Sequence, residues 1–279
     1  MASIYTAPVY KMKELNNIFI ELTAKSCNHK CQSCYIRFEQ AGYNPKPIKD
    51  FIHIDKIKEA LSQTKNEILH CIYLTGAEPM MHPDFNSILR LCLKRCNVCI
   101  CTNGSFLNEK KIRFLNKVEN ESNNQIFFKL SLTHFDEIEN DKSKYRGNYR
   151  QTIFSLKTLC RYNFNSVLTI QNYYNLDKNL INEMFSKIFI ENEIQNTEIQ
   201  IISSYPNFSE ENLTQKATKT DCMHSRTLTS KGIYSCPFLS SDYRGRVGST
   251  FENYSKTITA ESDFCATCSN NNNYIFTIQ

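Results

Sequence analysis

Short apolar runs alternate with longer polar-and-apolar stretches over roughly the first two hundred residues of the chain. Residues 18–23, 71–75, 98–102, 127–133, 167–172 and 198–203 predict β-strands. Residues 54–65, 83–96, 109–118, 149–163 and 176–191 predict the helices between them. The second of these is well signalled: Pro83 stands near its first turn, and Asp84 lies beside the positive end of its dipole. Strand followed by helix, repeated, is the pattern of an α/β parallel sheet or barrel.

The alternation stops near Ser203. Residues 205–220 are polar, carry Pro206 and read as a connector. From Asp221 the segments shorten, with Gly232, Gly245 and Gly248 among them. The expected division is therefore 1–204 for the main unit and 205–279 for a linker and a small appendage. That appendage is too small for a core of its own, so it is expected to need a metal and to pack against the larger unit.

A chain of 279 residues is long enough to bury a core without disulfide staples. No apolar run reaches the length of a membrane span, and Lys11, Lys13 and Glu14 interrupt the amino terminus, so a cytoplasmic protein is expected. The formal charge of +5 is spread thinly, which suits a phosphate or carboxylate pocket and makes nucleic acid an unexpected partner. Cysteine changes the picture. There are 13, an odd number with several closely spaced, which in a reducing compartment points to metal ligation.

The spacing CxxxCxxC occurs twice, at Cys27–Cys31–Cys34 and at Cys92–Cys96–Cys99. The first set follows a strand in a polar loop, where barrel folds assemble active sites. In the second, Cys92 and Cys96 sit four apart on a predicted helix beside Leu89, Leu91 and Leu93, and Cys99 lies in the next strand. Buried thiols behave as small hydrophobes, so the second set is read as core. Three thiolates suit a [4Fe–4S] cluster with one iron left open, where ferredoxin sites supply four. S-adenosylmethionine (SAM) can chelate that iron through its amino and carboxylate groups; one electron then yields a 5′-deoxyadenosyl radical.

With these residues the chain resembles the radical SAM superfamily over most of its length. Thr75-Gly76-Ala77-Glu78-Pro79 is similar to the family's GGEP segment, with Ala77 at the second Gly. Cys101-Thr102-Asn103-Gly104 is similar to its TNG segment. The resemblance implies a partial (β/α)6 TIM-like barrel with SAM contacts from Gly76, Ala77, Glu78 and Asn103. It further implies that Ser131 and Arg146 hold the SAM carboxylate and ribose, and that Ile170 packs on adenine. The aromatic usually found before the third cysteine is replaced by Ser33, with Tyr35 just after.

Cys222, Cys236, Cys265 and Cys268 form another set, whose chemistry allows zinc or an iron–sulfur cluster. Its arrangement resembles the twitch domain, a shortened SPASM extension, and this implies one auxiliary [4Fe–4S] cluster. Candidate substrate residues are Glu39, Tyr43, Asn44, Asn172, Tyr173, Tyr205, Asp242 and Arg244, at strand ends and in loops. The expected reaction is hydrogen abstraction from a small polar metabolite or nucleoside-like molecule, of dehydrogenase or lyase type, as in queuine release. Electrons would come from a flavodoxin- or ferredoxin-type partner. Because the chain begins almost at the first expected strand, no peptide-recognition domain is expected ahead of it. Peptide modification and a non-catalytic zinc or iron–sulfur module are the alternatives, and a closed polar cavity or an open groove beside a sheet edge would separate metabolite from peptide.

Overall fold

The fold is that of a computed structural model, which describes residues 9–12, 14–32, 34–36, 50–203, 225–240, 243–259, 268 and 277–278. In chain order the elements are β1 (Val9–Lys11), β2 (Asn17–Thr23), α1 (Ile54–Gln63), β3 (Cys71–Gly76), α2 (Phe85–Leu93), β4 (Asn97–Cys101), α3 (Glu109–Asn120) and β5 (Ile126–Leu132). They continue with α4 (Glu137–Ser143), α5 (Asn148–Arg161), β6 (Asn165–Asn172), α6 (Lys178–Glu191) and β7 (Thr197–Ser203). The last are β8 (Ser225–Thr229), β9 (Gly232–Tyr234), β10 (Arg246–Gly248) and β11 (Thr257–Thr259).

The six predicted strands are β2 to β7, which lie side by side in sequence order, every neighbouring pair parallel. This is the expected α/β partial barrel. The sheet stays open. β8 adds in parallel to the free side of β2, and β9 and β10 extend it antiparallel, so the full order is β10-β9-β8-β2-β3-β4-β5-β6-β7. β1 and β11 form a separate two-stranded ribbon.

Side chains alternate across a strand, so the two faces of this sheet have different compositions. Toward the helices point Ile18, Ile20, Leu22, Ile72, Leu74, Val98, Ile100, Phe128, Leu130 and Leu168, packed with Ile57, Leu89, Leu115, Leu156 and Phe185 in one core. Each fully buried side chain of this kind contributes about 1.5–3 kcal/mol, so this layer carries much of the stability. The opposite face is graded along the strands. At its amino-terminal level Phe19, Tyr73 and Cys99 are in register and buried, with Phe127 partly buried beside them. One level on come Glu21 beside Thr75 on one side and Cys101 beside Lys129 on the other; beyond them lie Ser131, Thr169 and Gln200. The apolar level is closed by Ile278, whose N–H donates to the Tyr73 hydroxyl at 3.1 Å.

Helix α4 was not expected from the sequence, because Glu137–Ser143 has no apolar stripe. It forms through capping: Asp136 accepts from the N–H groups of Ile138 and Glu139, and the buried Asn140 amide accepts from Thr133 N–H at 3.0 Å. Among the described residues, no helix is long and apolar enough to cross a membrane.

Candidate active site

At the carboxyl end of β2 the chain turns sharply and is pinned by Asp50. That carboxylate accepts from Thr23 Oγ1 and Ser26 Oγ, both at 2.8 Å, and from the Lys25 N–H. The segment carrying Cys27, Cys31 and Cys34 is then stitched to three other loops. Ala77 N–H donates to Thr23 O at 2.8 Å and Glu78 N–H to Ser26 O at 3.1 Å; Gln32 N–H donates to Ser143 O at 2.9 Å. Asn103 Nδ2 donates to Asn28 Oδ1 at 3.0 Å.

Gly76 explains why the second loop approaches so closely. Its φ is +116°, and a Cβ there would stand 2.2 Å from the Thr23 carbonyl oxygen. Glu78 follows, with 0% of its surface exposed. Its carboxylate accepts from Met80 N–H at 3.1 Å, from Thr102 Oγ1 at 2.8 Å and from Asn103 N–H at 2.8 Å. Burial nonetheless pushes its pKa up to about 7, outweighing those three donors. A cation brought beside it would restore the ionised form.

One pocket gathers most of the expected residues. Cys27, Cys31, Cys34, Tyr35, Gly76, Ala77, Asn103 and Ser131 line it together. Glu78 stands behind it, reaching the Asn103 backbone. Four expected residues stand apart from it. Ile170 is fully buried in the helix-side core, because strand alternation turns its neighbours Thr169 and Gln171 inward instead. Arg146 is exposed in the turn before α5 and does not line the pocket; Lys144, two residues earlier, does, and donates to Ser131 Oγ at 2.9 Å. Asn172 spends its amide on Leu176, donating to its carbonyl and accepting from its N–H, and Tyr173 is half-exposed against Tyr174. Cys222, Cys265, Glu39, Tyr43, Asn44, Tyr205 and Asp242 lie outside the described residues, as does the side chain of Arg244.

Sequence reasoning missed His29, Lys129, Lys144, Thr169 and Gln171, all of which line the pocket. A signal existed for two of them. Taking Ser131 as inward-facing places Lys129 on the same face two residues earlier, and the same parity applied to β6 selects Gln171 over Ile170.

The donors suit an iron–sulfur cluster. Desolvation pushes the Cys27 thiol up to about 12 and Cys34 up to about 11, and raises Cys31 as well, so each would be neutral without a metal. Metal binding must therefore displace their protons. The protein already aims donors at the sulfurs: His29 N–H reaches Cys27 Sγ at 3.3 Å and Ile36 N–H reaches Cys34 Sγ at 3.4 Å. Lys144 adds positive charge near Cys31 and Cys34. In a cubane each cysteine takes a different iron, so the three need not converge on one point. Among the described residues, no three His, Cys, Asp or Glu are spaced to hold a single ion.

The other CxxxCxxC set is divided by the sheet. Cys92 and Cys96 lie in the helix-side core, while Cys99 lies on the opposite face with Phe19, Cys71 and Tyr73. At the carboxyl end of the chain, Cys236 and Cys268 pack with Ile202, Phe238 and Tyr35, which brings that segment beside the first cysteine loop. Ser240 Oγ also donates to the buried Glu21 carboxylate at 2.5 Å.

The model of the radical SAM superfamily matches residues 22–188. The fold is similar to crystal structures of Streptococcus suis SuiB, one bound to S-adenosylmethionine, with TM-scores of 0.61 and 0.63 at 15% and 14% identity. Those alignments cover 86% of this chain, which spans 64% of the SuiB chains. No curated protein matches by sequence. The family implies a [4Fe–4S] cluster and SAM, and the chain belongs to the radical SAM superfamily of enzymes.

Proposed function

We propose that this enzyme binds a [4Fe–4S] cluster through Cys27, Cys31 and Cys34 and acts on a small polar metabolite or nucleoside-like substrate, as a dehydrogenase or lyase. When bound, the cluster and SAM supply a 5′-deoxyadenosyl radical that takes hydrogen from the substrate. The residues of the chain bind and orient. Gly76 and Ala77 let backbone lie against SAM, the buried Glu78 carboxylate places a negative charge behind the site of its ammonium, and Lys144 with Ser131 receives its carboxylate in a charge-assisted pair. Tyr35, edge-on to Phe238 at 5.5 Å, forms a wall that keeps water from the pocket. The observation that carries this reading is the convergence of three thiols, the Glu78 loop and the Lys144–Ser131 pair on one pocket with a polar floor.

Cys222, Cys236, Cys265 and Cys268 hold an auxiliary [4Fe–4S] cluster in this proposal, supported by the packing of Cys236 and Cys268 in one cluster with Tyr35. Four protein ligands leave no open iron, so its role is electron transfer and closure of the barrel mouth. A flavodoxin- or ferredoxin-type protein in the reducing cytoplasm supplies the electron. One observation favours a peptide substrate as a second reading: among the described residues, β7 pairs only with β6, leaving its outer edge open to an added strand.

Anaerobic reconstitution followed by dithionite and SAM tests the main claim. Formation of 5′-deoxyadenosine is expected, and its absence from the cluster-loaded protein would overturn it. Iron and zinc counts on the wild type and a Cys265→Ala/Cys268→Ala variant test the auxiliary cluster, which predicts loss of half the iron and no zinc.

A further inference from the structure

The pocket holds a hydrogen-bonding group that SAM binding, as proposed above, does not use. Several of its polar side chains are already engaged: Ser131 accepts from Lys144, Thr102 donates to Glu78, Asn103 donates to Asn28, and Thr169 donates to Gln200. Gln171 differs from them. It is 3% exposed and lines the pocket, yet its Nε2 has no hydrogen-bond partner, and no described residue donates to its Oε1. A buried amide left unanswered is costly, and native proteins keep few of them without a ligand or a water in place. Rotation about the last side-chain bond of Gln has two broad wells, so either end of the amide can turn to the pocket. In register, Gln171 stands beside Ile202, which is 1% exposed and packs with Tyr35 and Phe238. Tyr35 lines the same pocket, so the amide is bordered by apolar side chains.

We propose that Gln171 anchors a substrate subsite for a planar, neutral amide edge, the donor–acceptor pair of a carboxamide or a nucleobase. The proposal rests on the radical SAM reading and deepens it by naming the group of the substrate that is recognised. A Gln side chain presents an acceptor and two donors in one plane. Its complement is a group that also sets a donor beside an acceptor, so that both ends are answered at once, as when Asn or Gln reads adenine. A carboxylate would answer Nε2 and set a second acceptor against Oε1; an ammonium would answer Oε1 alone. Ile202 and Tyr35 favour a flat, uncharged group, because an ion buried beside apolar side chains loses its hydration without repayment. The adenine of SAM is the other source of this chemistry, and the test separates the two.

The test uses the reconstituted, SAM-loaded enzyme with benzamide, acetophenone and benzamidine, probes of one shape followed by saturation-transfer NMR. Benzamide sets a donor beside an acceptor, acetophenone offers an acceptor alone, and benzamidine offers donors alone. Benzamide is expected to bind about tenfold more tightly than either, the effect of one or two net hydrogen bonds. Gln171→Met is expected to weaken benzamide about tenfold and to level the probes, with SAM affinity changed less than about twofold. Gln171→Glu has nearly the same shape but offers only acceptors, and is expected to reverse the order in favour of benzamidine. No binding of benzamide, equal binding of benzamide and acetophenone, or a benzamide preference that survives both substitutions would overturn the proposal. So would a loss of SAM affinity of about tenfold in either variant, which would assign the amide to the adenine of the cofactor. Should Gln171→Met not fold, the near-isosteric Gln171→Glu decides alone. Assay of 5′-deoxyadenosine without any probe reports separately on the radical chemistry, so failure of one claim is distinguishable from failure of the other.

Discussion

Two stretches of this chain carry the same cysteine spacing and differ in almost everything else. At residues 27–34 the backbone is irregular, held by Asp50, Asn28 and the Glu78 loop, and its three thiols open on one pocket. At residues 92–99 the backbone is a helix end and a strand, and the sheet lies between Cys92 and Cys99. Regular secondary structure fixes side-chain directions three, four or two residues apart. A spacing of four and then three therefore converges on one ligand only where the chain is free of both periods. The motif is a property of its loop.

The largest effect that tests this contrast is cluster content. Replacing Cys27, Cys31 and Cys34 by Ala should remove the iron they hold and reduce 5′-deoxyadenosine formation to background. Replacing Cys92, Cys96 and Cys99 by Ala should leave both at wild-type levels. Iron lost from the second variant, with its fold intact by circular dichroism, would break the comparison.

Stability should rank the two sets the other way. Cys92→Ser and Cys99→Ser each place a hydroxyl in an apolar, fully buried position and should cost about 1–3 kcal/mol in urea unfolding of the metal-free protein. Cys31→Ser, at the pocket surface, should cost less than about 0.5 kcal/mol. Equal costs would mean that the first loop is as tightly packed as the core.

A subtler difference concerns the loop that supports the first set. Glu78→Gln removes a buried negative charge behind the site proposed for the SAM ammonium and should weaken SAM binding by roughly tenfold, read by equilibrium dialysis. Because burial raises the Glu78 pKa to about 7, the carboxyl is mostly neutral below that pH and ionised above it. SAM affinity should therefore rise from pH 6 to pH 8 in the wild type, and this rise should flatten in Glu78→Gln. An unchanged slope would assign the titration elsewhere.

Much of this molecule was legible beforehand, because most of its information is local. Six strands and five helices follow from apolar runs and their spacing, and the loop cysteines and the Glu78 segment follow from motif and position at strand ends. What escaped was either polar or long-range. Helix α4 is built from caps with no apolar stripe to announce it. The pairing of β8 with β2 joins residues some two hundred positions apart, and nothing in either segment encodes the partner. Ile170 lies in the helix-side core while its neighbours Thr169 and Gln171 line the pocket, because a strand alternates every residue and a shift of one position exchanges core for pocket. Lys144 and Arg146 lie two residues apart in one short turn, where periodicity does not say which of them faces the pocket.

The contact between Lys129 and the far end of the chain bears on the order in which the molecule is made. Lys129 and Thr277 are separated by 148 positions, and Tyr73 and Ile278 by 205. A chain leaving the ribosome at about 5–20 residues per second completes the β2–β7 sheet several seconds before the residues that seal its amino-terminal mouth exist. During that interval the Phe19–Tyr73–Cys99 layer lacks the cover of Ile278, and Lys129 lacks the carbonyl of Thr277. The nascent sheet thus carries an uncovered apolar layer until residues some two hundred positions after Tyr73 are made.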